Sequence, residues 1–152
     1  MQIDIENAET PGLLRRLAAI FYDIMLIAAL LVLAAVIVVL PLGAVAGIEG
    51  DVIGANLFFR LFLLLVIVSF FCWFWLRGGQ TLGMRAWRMK LVRDDGKPLR
   101  LADTLLRQAA AVLSWSAAGL GFLWSLWDAE RLTWHDRLTG TRLVMLEKAQ
   151  KP

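Results

Sequence analysis

Three long runs of uncharged, mostly apolar residues constrain this chain more than any other feature of its sequence. They cover residues 24–48, 61–76 and 108–127. A helix that crosses the hydrocarbon core of a bilayer, about 30 Å thick, needs about 20 such residues. Apolar residues make up 59% of the 152-residue chain, above the roughly 45–50% that is usual in soluble domains. The runs therefore predict an all-α integral membrane protein.

Two of the runs predict complete transmembrane helices. The first helix is expected over about residues 13–41, because Pro41 loosens a helix at that point. The second is expected over about residues 55–76, which requires Arg60 to reach back to the membrane surface along its methylene stem. Together these two helices define a multi-pass protein.

The third run, residues 108–127, is long enough to cross but is interrupted by AAGLG at residues 117–121. It predicts either a third span or a re-entrant hairpin that folds at residues 119–121. Non-helical backbone at that depth is tolerated only where protein covers it. The choice between these two alternatives decides on which side of the membrane the tail, residues 128–152, lies.

The distribution of charge predicts the orientation. Residues 77–107 carry eight basic and three acidic residues, whereas residues 49–60 carry two acidic residues and one basic residue. Loops rich in Lys and Arg remain in the cytoplasm, so the basic loop 77–107 and the N terminus are expected there. Next to two spans, such a loop favours anionic lipid headgroups over nucleic acid as its partner. The candidate headgroup contacts are Arg85, Arg88 and Lys90.

The same loop predicts a small β-ribbon. GGQTLGMRAWRMK is expected to form a short surface helix with Met84 and Trp87 in the membrane interface. MKLVRDDGKPL then predicts a strand at Met89–Arg93, a turn and a short return arm. A further strand at residues 141–146 needs a hydrogen-bonding partner, and Met89–Arg93 is the best one available. This pairing and the basic tail favour a third segment that enters the membrane and returns.

Asp23 is a charged residue well inside the first apolar helix. An ionised carboxylate at such a depth costs about 2.5–3.5 kcal/mol, so Asp23 is expected to be protonated or to meet a cation. Arg16 lies on nearly the same helix face but about 10 Å away along the axis, which argues against a direct ion pair. The candidate partners are Arg107 and His135. The side chain is either a proton or cation relay or a buried clamp that sets helix packing.

His135 and Asp136 predict a hydrogen-bonded pair that stabilises the turn before the last strand. A metal site is not expected, because the chain has one histidine and one cysteine and lacks the HExxH spacing of zinc proteases. The sequence also contains no nucleophile elbow, phosphate-binding loop or dinucleotide motif. It predicts no metal, no cofactor and no enzymatic activity.

Four segments together resemble the RDD family of small bacterial membrane proteins. They are RRLAAIFYDIMLI, GGQTLGMRAWRMKLVRDDGKPL, LLRQ and HDRLTGTRLV. The family is named for one arginine and two aspartates, and the resemblance carries these to Arg16, Asp23 and Asp136. It implies a bacterial inner membrane protein. Transport of unidentified ligands is proposed for the family, and cation/proton antiport for some members.

Besides a lipid-binding role for the patch Arg85–Arg93, which predicts salt-sensitive binding to anionic lipid, two functional hypotheses follow. In the first, the protein is a transport or cation/proton-coupled module in which Asp23 exchanges a proton or cation, Arg16 biases its pKa or holds an anion, and Asp136 positions a basic partner such as Arg107. A chain this small would then form an oligomer. In the second, the protein is a non-transporting scaffold or regulatory subunit of a larger membrane complex, which requires a second copy or another membrane protein as partner.

Overall fold

The computed structural model describes residues 8–146. The parts of the predictions that concern residues 1–7 and 147–152, including the end of the basic tail, lie outside the described residues. The described chain is mostly helical. In order, its elements are α1 (Leu13–Ala46), α2 (Gly50–Ala55), α3 (Leu57–Gly78), α4 (Leu82–Ala86), β1 (Met89–Arg93), α5 (Leu101–Ser116), α6 (Leu120–Leu123), a 3-10 turn (Trp124–Leu126), α7 (Trp134–Thr139) and β2 (Thr141–Met145).

Helix α1 is longer than the sequence predicts. It runs for 34 residues and continues through Pro41, so the predicted end at residue 41 is wrong. Gly47 ends it instead: its φ of 63° lies in the left-handed region, and its N–H bonds to the Gly43 carbonyl. One proline removes a single helical hydrogen bond, which apolar helices tolerate. At 1.5 Å per residue α1 is about 51 Å long, more than a bilayer core needs.

Helix α3 is the second apolar helix of spanning length. Asn56 caps its start by accepting a hydrogen bond from the Phe58 N–H, and Gly79 ends it in the left-handed conformation. The Arg60 guanidinium donates to the Gly54 carbonyl over 3.0 Å, so it reaches back toward the start of the helix as expected. Both α1 and α3 are long and apolar enough to cross a membrane, and the protein itself buries few of their side chains.

Strands β1 and β2 form an antiparallel ribbon in which Leu91 faces Leu143. The predicted pairing of these strands is confirmed. The predicted return arm after the turn is wrong, because the chain continues from the turn without a strand into α5. Proline at position 98 cannot donate to a ladder, and β1 pairs with β2 instead.

A small hydrophobic core joins this ribbon to α1, α3 and α4. Its buried members are Ala19, Trp75, Met84, Met89 and Leu91. The prediction that Met84 dips into the lipid interface is therefore wrong: its side chain is 6% exposed and packs inside the protein. Met84 lies on the face of α4 that packs against α1, and this packing buries its side chain.

The third apolar segment bends sharply. Helix α5 ends at Ser116, and the pair formed by α5 and the following helix is bent by 104°. Ala118 and Gly119 at the break both have positive φ values, 53° and 77°. The chain thus changes direction slightly before the predicted residues 119–121. Gly121 then packs directly against Ser114, leaving no room there for a Cβ.

Candidate functional site

Asp23 lies on α1, at the point where this helix contacts the start of α4, which lies within the loop 77–107 that the sequence predicts to be cytoplasmic. Its side chain is 5% exposed. One carboxylate oxygen, Oδ2, accepts a hydrogen bond from the Thr81 hydroxyl over 2.5 Å. The other, Oδ1, accepts from the Gly83 backbone N–H over 2.8 Å. Both donors belong to the start of α4, so this carboxylate attaches α4 to the side of α1.

Thr81 and Gly83 fit this contact for different reasons. Thr81 is the N-cap of α4 and accepts the Met84 N–H over 3.1 Å, so its hydroxyl accepts from the helix and donates to Asp23. Gly83 permits the close approach: a Cβ there would lie 2.8 Å from Asp23 Oδ1 and even closer to the Ala19 carbonyl oxygen. No residue other than glycine fits without moving one of the helices.

Of the two alternatives for Asp23, a protonated side chain or a cationic partner, the described chain does not provide the second. Within residues 8–146 neither Arg107 nor His135 bonds to Asp23, and Arg16 on the same helix does not either. The reason is that Asp136 occupies both arginines, while α4 supplies neutral donors to Asp23. The predicted absence of a direct Arg16–Asp23 ion pair agrees with the structure.

Asp136 is the centre of a second cluster, formed with Arg16 and Arg107. Arg16 donates to Asp136 Oδ2 over 2.7 Å, and Arg107 donates to Oδ1 over 2.6 Å. All three side chains are at most 4% exposed. The arginines have further acceptors: Arg16 bonds to the carbonyls of Pro11 and Arg131, and Arg107 bonds to the Thr141 hydroxyl.

The Asp136 carboxylate also takes part in the N-terminal cap of α7. Thr133 is the N-cap of this helix; its N–H donates to Asp136 Oδ2 over 3.0 Å, and its hydroxyl accepts the Asp136 N–H over 3.3 Å. This reciprocal capping satisfies two helix-end donors at once. Asp136 therefore links α7 to both α1, through Arg16, and α5, through Arg107.

Electrostatics favour the ionised form of Asp136. Burial by itself raises the pKa of this carboxyl, but the guanidiniums of Arg107 and Arg16 outweigh burial and hold the pKa below its ordinary value of 3.8. The cluster contains two cations and one anion, and carries a net charge of +1. Such a group is stable only while every member keeps its partners.

His135 does not pair with its neighbour Asp136 in the way the sequence predicts. Its ring packs against Phe122, with 4.8 Å between the ring centroids, and Nδ1 lies 3.4 Å from the Ser114 hydroxyl. Burial and the charge of Arg107 lower the pKa of His135 to about 3. The two side chains do not meet because His135 and Asp136 are adjacent in α7, and adjacent residues on a helix face different sides.

The candidate headgroup residues lie together on the surface. Arg85 and Arg88 are exposed, Lys90 is half-buried, and Trp87 between them is 43% exposed. In the part of the chain that the structure describes, no group of three or more His, Cys, Asp or Glu side chains is arranged to hold a metal ion.

The sequence did not single out two parts of this arrangement. One is the Thr81–Gly83 contact, for which the only local signal is a threonine in a helix-capping position with glycine two residues later. The other is a cavity of about 560 Å³, lined by Trp124, Asp128, Trp134, Arg137 and Leu138. Its residues come from three separate elements, so no short motif marks it.

The RDD family model matches residues 10–140 of the chain, a stretch that includes Arg16, Asp23 and Asp136. Searches of curated proteins and of solved structures returned no match. The family match and the two apolar helices of spanning length indicate a membrane protein. Since the match covers most of its length, the chain belongs to the RDD family.

Proposed function

We propose that this protein is a multi-pass bacterial inner membrane protein that acts as a non-transporting scaffold or regulatory subunit. In this proposal α1 and α3 cross the membrane, and they hold the ribbon and α7 at its cytoplasmic face. The residues Arg16, Asp23 and Asp136 maintain this arrangement. The partner is a second copy of the chain or another membrane protein.

The contacts between distant segments support a shared cytoplasmic side. Arg16 near the start of α1 bonds to Asp136 in α7. The N–H of Met145 in β2 donates to the Glu9 carbonyl over 2.8 Å, just before α1 begins. If α1 and α3 cross the membrane as an antiparallel pair, the start of α1, the end of α3 and β2 all lie at one end. The bent third segment then enters and returns.

The observation that carries the scaffold proposal is the state of Asp23. Both of its oxygens are occupied by neutral donors from α4, and the cavity described above is lined by other residues. A relay needs a carboxylate that exchanges protons or cations with a pathway. A clamp needs only the two hydrogen bonds. Breaking them costs the free energy of leaving a buried polar group without a hydrogen-bond partner.

Transport remains the second candidate because of one specific feature. Asp23 is a buried carboxylate inside an apolar helix, and no basic side chain among residues 8–146 bonds to it. Carboxylates in such positions often belong to proton or ion pathways. Under this candidate Asp23 exchanges the proton or cation, and Asp136 positions its basic partners Arg16 and Arg107.

Proton flux in proteoliposomes separates the two candidates. We expect the reconstituted wild type to show no cation-dependent proton flux above that of empty vesicles. The comparison pair is Asp23→Asn, which removes the titratable group, and Thr81→Val, which removes a hydrogen bond but retains the carboxylate. Flux in the wild type and in Thr81→Val that disappears in Asp23→Asn would overturn the scaffold proposal and support the relay.

Photo-crosslinking in native membranes tests for the partner that a scaffold requires. A photoreactive residue is introduced singly at Val32, Leu33, Val36 and Ile37, apolar positions of α1 that the protein leaves exposed. We expect protein crosslinks of one defined mass from positions on one helix face, and lipid crosslinks from the others. Lipid adducts alone at all four positions would contradict the proposed partner on this part of α1.

A further inference from the structure

The cavity at the end of the third apolar segment combines aromatic walls with one charge of each sign. Trp124 belongs to the 3-10 turn, Asp128 to the following loop, and Trp134, Arg137 and Leu138 to α7. Its volume of about 560 Å³ lies within the range of about 300–1,000 Å³ that is usual for small-molecule sites.

The two indoles form a wedge. Their ring centroids are 6.4 Å apart and their planes are inclined by 52°. A cation within about 6 Å of an indole centroid is attracted to the face of the ring. A group at the open side of the wedge can therefore contact both Trp124 and Trp134. This arrangement favours an ammonium group.

The charged pair beside the wedge favours an anionic group as well. Arg137 donates from Nε and Nη2 to Asp128 Oδ1, over 3.0 and 2.5 Å, and within residues 8–146 its Nη1 has no hydrogen-bond acceptor. The Arg137 side chain is 49% exposed, whereas that of Asp128 is 5% exposed. An incoming phosphate thus meets the arginine, while the carboxylate stays behind it. The pair sums to zero charge, which suits a zwitterion better than an anion.

The surroundings of the cavity point to a lipid. Leu123, Leu126 and Trp127 flank Trp124 in the chain, and their side chains are 38%, 59% and 77% exposed. Tryptophans are enriched where the headgroups of a membrane begin, and exposed apolar neighbours offer a surface for acyl chains. We propose that this cavity binds the headgroup of a zwitterionic phospholipid, with its phosphate on Arg137 and its ammonium at the Trp124–Trp134 wedge.

Native mass spectrometry of the full chain in detergent tests this proposal. The probes are phosphatidylethanolamine and phosphatidylglycerol, which share the phosphate but differ in the ammonium. In the Arg85→Gln/Arg88→Gln background, which removes the exposed guanidiniums that would bind anionic lipid elsewhere, we expect one phosphatidylethanolamine retained per chain in preference to phosphatidylglycerol. Arg137→Gln should weaken its binding by about tenfold, as expected for the loss of one charge-assisted hydrogen bond. Equal retention of the two lipids would overturn the proposal.

Matched variants distinguish a site from the general lipid shell. Leu138→Glu introduces a negative charge at a lining position that is 66% exposed, and Leu101→Glu makes the same change at a position that is 54% exposed at the start of α5. The first should abolish specific retention, and the second should not. Because Leu138 is exposed, the variant should fold even if Arg137→Gln does not. Equal loss in both glutamate variants, or in neither, would show that the bound lipid is not in this cavity.

Soluble competitors identify the source of the headgroup. Inorganic phosphate and O-phosphoethanolamine are added separately to the lipid-bound protein. We expect neither to displace the lipid at a concentration equal to that of the lipid, because the acyl chains contribute to binding. Displacement by phosphate would overturn the zwitterion assignment. Displacement by O-phosphoethanolamine alone would retain the zwitterion but overturn the assignment to a lipid. The proposal does not depend on the role of Asp23.

Discussion

At the scale of single residues, Gly83 is a position with little tolerance for change. A Cβ at this position would overlap the Ala19 carbonyl and lie 2.8 Å from Asp23 Oδ1, and forcing extra volume into a packed contact costs about 1–3 kcal/mol. Gly83→Ala should lower the free energy of unfolding by that amount in an SDS titration of mixed micelles. Gly78→Ala is the control, because no atom lies within 4 Å of its Cβ. Equal loss in both variants would mean that α4 does not approach α1 this closely.

Asp136→Asn should be the most destabilising single charge removal in the described chain. It leaves the buried guanidiniums of Arg16 and Arg107 without their counter-ion, and breaking a buried pair in this way costs about 3–5 kcal/mol. The control is Asp95→Asn, which disrupts an exposed pair with Arg93 and should have little effect on unfolding. If the two variants unfold alike, the Asp136 cluster does not hold the fold.

His135 should make the stability depend on pH. The unfolded chain binds a proton at this histidine below its ordinary pKa of 6.5, whereas the folded protein keeps it neutral down to about pH 3. The free energy of unfolding should therefore fall as the pH drops from 6.5 toward 3, by up to about 1.4 kcal/mol per pH unit. His135→Gln should reduce this slope. The stabilisation that the ionised Asp136 contributes is lost at lower pH, as the pH falls below the ordinary carboxyl pKa of 3.8.

At the scale of elements, pairing between strands was predictable and the contacts of α4 were not. Residues 141–146 form a strand candidate after the turn at residues 139–140 but have no neighbouring strand in sequence, so the need for a hydrogen-bonding partner identifies β1. The prediction of a return arm rests on the turn alone, and a turn does not determine whether a strand follows it. The roles of Thr81 and Gly83 have no comparable signal in the sequence, because the structure satisfies the Asp23 carboxylate with neutral donors from 58 and 60 residues away rather than with a charged partner.

The basic surface formed by Arg85, Arg88 and Lys90 allows a prediction at the same scale. Arg85 lies in α4 and Arg88 between α4 and β1, and both are exposed. If this surface faces the membrane, as the proposed topology requires, it attracts anionic headgroups at about 1 kcal/mol per basic residue. Adding phosphatidylglycerol to detergent-solubilised protein should raise its unfolding temperature more than adding phosphatidylcholine. The double variant Arg85→Gln/Arg88→Gln should lose this difference. A wild type that responds equally to both lipids would remove the basis for an anionic partner.

At the scale of the whole molecule, the proposed topology returns the C terminus to the side of the N terminus. The Arg16–Asp136 ion pair and the contact between β2 and Glu9 both support this arrangement. A reporter that is active only in the periplasm should be inactive when fused after Pro152 and active when inserted between residues 47 and 49. Activity after Pro152 would contradict the returning third segment and would require a third complete span.

The measurement that tests the account most directly is a double-mutant cycle between Asp23 and Thr81. Unfolding free energies are compared for the wild type, Asp23→Ala, Thr81→Val and the double variant in one mixed-micelle system. A clamp that joins α4 to α1 predicts a coupling within about 0.5–3 kcal/mol, as for other directly bonded pairs. Effects that simply add, with no coupling between the two positions, would contradict the clamp, and Asp23 would then need a role other than holding the fold.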